Sequence, residues 1–406
     1  MHPVAATLNK IAAELKASFL EREDAIDAMM LALLAGEHAF LFGPPGTAKS
    51  ELVRALVESL NGTRYFEVAL SRTRPAEAVL GPLNIKEFRD NGNYFLKRKG
   101  FASDADICFF DEIGKMSPVL GHDMLALLNE RVYHEVNGGR SVHPTPLHTA
   151  FTASNEMPTN ESDDAAALWD RLLVRVCVDY LQKKSNFSKL LTSSVEHPKT
   201  RLDFEDLKKV VETEVPNIQM SKEALTGMVA LRTKMAGERL FPSDRRWRAS
   251  VKVLRAAAFL VGNAQVEEEQ LSVLKFTLWD ELEHIDAITD MCEAAGNPFA
   301  EALQTSAKLL SEVRKGLADR AGTDGLTLYG QEASLKLAEV RKSLDDLLTL
   351  ANGRSIAGFP KAADEHRELL IEVFVQCMGN DRDVAELAVN KRLGLGGGSA
   401  VQIEVS

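Results

Sequence analysis

The stretch Gly43-Pro44-Pro45-Gly46-Thr47-Ala48-Lys49-Ser50 decides how the rest of the chain is read. It follows Ala39-Phe40-Leu41-Phe42, a short apolar run that predicts a buried strand, and it precedes Lys49 to Leu60, where apolar residues recur at helical spacing. A loop of small residues between strand and helix turns backbone N–H groups and the positive end of the helix dipole toward one point, an arrangement suited to a triphosphate. Lys49 would then reach the β- and γ-phosphate oxygens, and the Ser50 hydroxyl would coordinate Mg²⁺. The common pattern has glycine before the lysine, whereas Ala48 stands here; its methyl group is tolerable if the residue already has helical dihedrals, which alanine favours. The plain alternative is a Pro/Gly turn between core elements, and the flanking strand and helix disfavour it.

Working outward, Ile107-Cys108-Phe109-Phe110-Asp111-Glu112 is an apolar strand ending in two carboxylates. A parallel strand adjacent to the loop's own strand would deliver both to the nucleotide, Asp111 to the Mg²⁺ shell and Glu112 to polarise the attacking water. Further apolar runs at Tyr65 to Leu70 and Thr149 to Ala153, separated by helical patterns, predict a parallel sheet with flanking helices in an α/β domain over residues 1–182. Between Gly81 and Phe101, Asp90-Asn91-Gly92-Asn93 is flanked by apolar residues on both sides and predicts a β-hairpin insert. Gln182 to Thr200 is polar and predicts a linker. Helical periodicity then dominates: residues 183–296 form the linker and an all-helical second domain, including one helical stretch from Glu267 to Cys292. Residues 297–406 form a helical extension ending in a Gly-rich tail near Leu393 to Ser399.

Composition bounds the function. The chain has 406 residues, 45% hydrophobic and 26% charged, with 59 acidic against 48 basic residues and a formal net charge of −11. Such a chain is globular, and its acidic balance disfavours nucleic acid as a partner unless a basic patch is strongly local. Two short basic clusters exist, Lys97-Arg98-Lys99 and Arg245, Arg246 and Arg248. No apolar run approaches the ~20 residues of a membrane span. Met1 to Leu20 reads as an amphipathic helix and not a signal peptide, so the cytoplasm is the expected compartment. Cys108, Cys177, Cys292 and Cys377 lie too far apart to suggest a zinc site and too few to staple the chain.

With these residues in place, the chain resembles an AAA+ ATPase of the MoxR group, and within that group the RavA branch. The resemblance covers roughly Glu14 to Asn297. It is carried by Glu21-Arg22-Glu23-Asp24-Ala25-Ile26, the loop with its alanine, Phe109-Phe110-Asp111-Glu112-Ile113 and Leu127-Leu128-Asn129-Glu130-Arg131. It continues with Ala153-Ser154-Asn155-Glu156, Trp169-Asp170-Arg171-Leu172 and Ser243-Asp244-Arg245-Arg246-Trp247. The resemblance implies that Asn155 is the sensor-1 residue, bonding the γ-phosphate and the attacking water. It implies that Arg171 is an arginine finger reaching into a neighbouring subunit's site, with Arg175 as runner-up. Sensor 2 falls on Arg245 or Arg246, with Arg248 open and Arg245 preferred; both lie near the nucleotide in this expectation. ATP and Mg²⁺ are the implied cofactors, a homo-hexameric ring the implied assembly, and a von Willebrand factor A (vWA) domain protein the implied partner in remodelling an unidentified protein client. RavA-type chains carry a β-rich insertion after the lid, which Asn297 to Met378 lacks. A nucleic-acid-dependent motor, with Lys97 to Lys99 on phosphates, is the alternative, and a nucleotide-gated scaffold with little hydrolysis is a third.

Overall fold

Ala39–Phe42 (β1), Tyr65–Ala69 (β2), Ile107–Asp111 (β3), Thr149–Ser154 (β4) and Val174–Cys177 (β5) pair in parallel, in the order β2-β3-β4-β1-β5. The structure, a computed structural model, describes all residues except 135–141, 158–167, 193–195, 298–299, 321–328, 331, 338–339, 342–358, 379–380 and 393–406. The four apolar runs are strands, as their sequence predicts. The fifth strand is hidden in sequence because Arg175 interrupts its apolar run. β3 is not adjacent to β1: β4 lies between them, so the carboxylates reach the loop from the next strand but one.

The sheet is buried on both faces. Ala39, Leu41, Ile107, Phe109 and Phe151 pack with helices Pro3–Ser18 (α1), Glu23–Ala35 (α2) and Lys49–Glu58 (α3), while Phe40, Cys108, Phe110 and Ala150 belong to a second cluster on the opposite face. Phe40, Phe109, Phe110 and Phe151 are each 0% exposed, a burial that contributes roughly 1.5–3 kcal/mol per side chain before entropy. α1 and α2 are separated by a turn at Phe19–Arg22, where Glu21 has φ 56°. The carboxyl ends of β1, β3 and β4 line one edge of the sheet, the usual place for a ligand in a parallel sheet.

The insert differs from the predicted hairpin. Ile85–Asn91 (α4) is a helix, with Asn84 capping the Glu87 N–H at 3.3 Å and Gly92 ending it in a left-handed conformation at φ 72°. Asn-Gly closes a helix here instead of turning a hairpin, because the Glu87 carboxylate accepts the Asn91 and Asn93 amides at 2.8 and 2.9 Å. Antiparallel pairing survives as a bridge between Leu83 and Leu96.

Pro118–Leu125 (α5) precedes a π-helical turn at Ala126–Glu130. The predicted linker contains a helix, Lys184–Thr192 (α6), and Phe204–Thr213 (α7) packs back on the core. Lys222–Gly237 (α8), Asp244–Val261 (α9) and Ile285–Gly296 (α10) share a cluster with Met228, Leu254, Leu274 and Trp279. The stretch from Glu267 is broken into a 3₁₀ segment, Glu268–Phe276, and an irregular link before α10.

Contacts divide the chain into Met1–Gly296 and Asn297–Ser406. The second unit contains Ala300–Asp319 (α11), Phe359–Met378 (α12) and Arg382–Arg392 (α13), with Leu310, Val313, Leu369 and Val373 in a cluster of their own. The Gly-rich tail lies outside the described residues. Among the described residues no helix is long and apolar enough to cross a membrane.

Candidate functional site

β1 runs straight into the glycine loop, and the loop's shape follows from two contacts. Gly43 lies so close to β5 that a Cβ there would stand 2.0 Å from the Val178 carbonyl oxygen. Gly46 has φ 80° and nothing within 4 Å of a built Cβ, so conformation and not crowding requires glycine. Ala48 is left-handed as well, at φ 66° and ψ 22°. The expectation of helical dihedrals is therefore corrected: the alanine carries a strain that glycine would not.

α3 begins without a side-chain cap. By contrast Ser117, Asp203, Ser221 and Ser243 cap α5, α7, α8 and α9. Uncapped first-turn N–H groups need an acceptor from elsewhere, and together with the helix dipole they favour an anion. They open on a cavity of about 370 Å³ lined by residues 45–51, Arg54, Asp111, Glu112, Ser154 and Asn155. Lys49, 9% exposed, folds under the loop and donates from Nζ to the Gly43 and Pro44 carbonyls at 2.7 and 2.8 Å. Burial holds its ammonium below the ordinary lysine value, against the pull of Asp111 and Glu112.

The Ser50 hydroxyl donates to Asp111 Oδ2 at 3.3 Å, and Asp111 Oδ1 accepts the Glu112 N–H at 2.9 Å. A hydroxyl and a carboxylate converging beside an anion cradle are hard oxygen donors of the kind that could hold Mg²⁺. Glu112 is left-handed at φ 55°, an uncommon conformation outside functional sites. Its Oε2 lies 3.1 Å from Lys115 Nζ. Asn155 follows the end of β4 on the same cavity wall. Residues 43–50, Asp111, Glu112 and Asn155 are thus brought to one end of the sheet.

The arginines are placed elsewhere. Arg171, Arg245 and Arg246 do not line this cavity but a second one of about 1000 Å³, shared with Arg131, Arg248, Lys252 and Arg255. Asp170 stands between Arg171 (3.5 Å) and Arg245 (3.6 Å), and Arg245 also donates to Asn129 Oδ1 at 3.0 Å. Arg171 Nε is buried and makes no hydrogen bond among the described residues. Arg246 is 2% exposed and its Nη1 donates to the Leu173 and Thr277 carbonyls at 3.3 and 2.8 Å. Arg246, expected on the nucleotide, does not line the phosphate cavity: its guanidinium is held in the join between sheet and helical lid. Arg175 is 0% exposed and saturated by Leu172, Trp169, Trp279 and Asp280, so the runner-up finger is a buried structural group. Arg98 is likewise engaged, on the Ser103 and Pro144 carbonyls, which removes one of the three cations the nucleic-acid alternative needs.

Sequence reasoning missed an apolar cavity of about 380 Å³ that adjoins the phosphate cavity through Gly46, Thr47, Ala48 and Glu51. Phe19, Leu20, Tyr180, Phe187 and Leu190 line it, and the Tyr180 hydroxyl donates to the Pro45 carbonyl at 3.3 Å. Its size and apolar walls suit a nucleobase. The signal was Phe187, Leu190 and Leu191 at helical spacing in a segment otherwise polar enough to pass for a linker.

Comparison with known proteins adds to this geometry. Residues 6–219 match the family described as the MoxR domain in the MoxR-vWA-beta-propeller ternary systems, and residues 223–292 match the AAA lid domain. An uncharacterized protein of Methanocaldococcus jannaschii is 33% identical over 312 residues, covering 76% of this chain and 80% of that protein. A second from the same organism is 34% identical over 328 residues, covering 79% and 85%. A structural protein of Acidianus two-tailed virus is 27% identical over 227 residues, 52% of this chain and 36% of that one. A solved structure from Cytophaga hutchinsonii, described as a candidate ATPase, shares the fold with a TM-score of 0.54 at 15% identity, covering 71% of this chain and 94% of that one.

Proposed function

The chain belongs to the MoxR-type AAA+ ATPases, and from that premise we propose that it hydrolyses ATP at sites shared between neighbouring copies in a ring, using the cycle to remodel a protein client. The observation that carries this is the uncapped start of α3, opening on a cavity that also holds Lys49, the Ser50–Asp111 pair, Glu112 and Asn155. Lys49 binds the β- and γ-phosphates in place of the loop carbonyls it now contacts. Ser50 and Asp111 hold Mg²⁺, which when bound supplies positive charge to the phosphate oxygens. Glu112 takes the proton of the attacking water, and Asn155 orients that water beside the γ-phosphate.

The cavity's own arginine supports a shared site. Arg54 makes a two-pronged pair with Glu67 at 2.9 and 2.6 Å, which turns its guanidinium toward that carboxylate. Arg171 and Arg245 line a different cavity and serve the neighbour's nucleotide in this reading, with the hexamer as the assembly that aligns them. The RavA-like motifs and the ternary-system description both support a vWA-domain protein as partner. Four free cysteines fit a reducing compartment such as the cytoplasm.

Glu112→Gln is the direct test. It should retain ATP, lose turnover and hold the ring on its client, so that a pulldown in ATP recovers that client. Full ATPase activity in this variant would refute the assigned base.

A further inference from the structure

Helix α6 starts with the wrong charge. Lys183 and Lys184 stand at the positive end of its dipole, where cations are unfavourable. The compensation comes from far away in sequence. Glu21 Oε2 accepts the Gln182 N–H at 2.7 Å, and Oε1 accepts the Lys183 N–H and the Asn186 amide, both at 2.9 Å. These donors, the Gln182 N–H first and the Asn186 amide second, hold the Glu21 carboxyl below the usual carboxylate range, so the cap is ionised around neutral pH.

Glu21 is itself held in an uncommon backbone conformation, φ 56°. The next residue, Arg22, is 8% exposed and donates from Nε to the Thr47 carbonyl of the glycine loop at 3.2 Å. Two consecutive residues therefore fix α6 and the phosphate loop to the same point of the chain. α6 in turn carries Phe187 and Leu190, 53% and 52% exposed, on the wall of the apolar cavity beside that loop. Among the described residues nothing covers these large apolar side chains at the cavity mouth.

We propose that Glu21 is a positioning residue for the nucleobase: by capping α6 from outside, it holds Phe187 and Leu190 as the surface on which the base packs, without touching the nucleotide. This rests on the nucleotide reading given above. Loss of the cap lets the wall fray and weakens binding of the base, while the phosphate cradle and Glu112 are untouched. Affinity for ATP and affinity for a bare polyphosphate then respond differently.

The test uses the full chain, with ATP turnover followed by ADP release and inorganic tripolyphosphate as a competitor that has no base. Glu21→Ala should raise KM for ATP about tenfold, the scale of a lost helix cap, with kcat within about twofold of wild type and the tripolyphosphate inhibition constant unchanged. Phe187→Ser, at a position 53% exposed, should produce the same split. An unchanged KM in both variants would overturn the inference, as would equal weakening of ATP and tripolyphosphate, which would mean that Glu21 acts through the phosphate loop. Lys49→Ala separates this inference from its premise: if that variant loses ATP and Glu21→Ala does not, the role of Glu21 alone fails. If Lys49→Ala binds ATP normally, both fail.

Discussion

Replacing Arg175 with methionine should destabilise the first unit without acting on the chemistry. The guanidinium donates to the Leu172 carbonyl at 2.8 Å and to the Trp169 and Trp279 carbonyls at 2.6 Å, pairs with Asp280 at 2.6 Å, and lies 3.6 Å from the Trp169 ring centre. Burial, and then the nearby Arg246, push its pKa down to about 9, so it remains charged at neutral pH. Methionine fills much of the volume but leaves three carbonyls in a dry environment without this donor, at about 1–3 kcal/mol each. Relief of the buried charge offsets part of that, and Asp280, 49% exposed, keeps its water. The net loss is about 3 kcal/mol, or a fall in Tm of about 5 °C or more for a unit of this size. Thermal unfolding followed by tryptophan fluorescence reads it directly, because Trp169 and Trp279 flank the site. A variant that melts like wild type but loses ATPase activity would show Arg175 to be a finger after all.

Ala48→Gly should stabilise the chain: a left-handed alanine costs roughly 1–2 kcal/mol, and glycine's freer unfolded chain returns about 0.4–1. A gain of roughly 0.5–1 kcal/mol in denaturant unfolding is expected, and a loss would contradict the strained loop. Stability should also fall with acid through His38, which is buried, and His148, which is half-buried. Burial holds His38 at about 3 and His148 at about 4, below the unfolded value, so below about pH 6.5 protons favour the unfolded chain. Each contributes about 2 kcal/mol of lost stability between about pH 7.5 and pH 5. His148→Gln should therefore flatten the stability-against-pH curve by that amount, and a curve parallel to wild type would show that His148 does not titrate as its burial implies.

The residues near the phosphate loop were legible because their chemistry is local: a strand, a small-residue turn and a helix start are contiguous, and Asp111-Glu112 ends a run of four apolar residues. What stayed hidden depends on distant partners. β5 is disguised by Arg175, acceptable in a strand only because Trp169, Leu172, Trp279 and Asp280 receive it. The same requirement breaks the helical pattern after Phe276, since Thr277 and Trp279 must present carbonyls to Arg246 and Arg175. Asn91-Gly92 was ambiguous in principle, being equally a hairpin turn and a helix stop, and the Glu87 carboxylate decided between them. The base-sized cavity was missed because α6 is capped by Glu21, a partner no local pattern reveals.

The most direct test of a site built from two copies is to mix subunits defective in different halves of it. Lys49→Ala and Arg171→Ala should each be inactive alone. Assembled in equal amounts, about a quarter of the seams would join an intact loop to an intact finger, so about a quarter of wild-type turnover should return. Wild-type turnover by Arg171→Ala alone, or a mixture that stays silent although both variants assemble, would contradict a shared catalytic site.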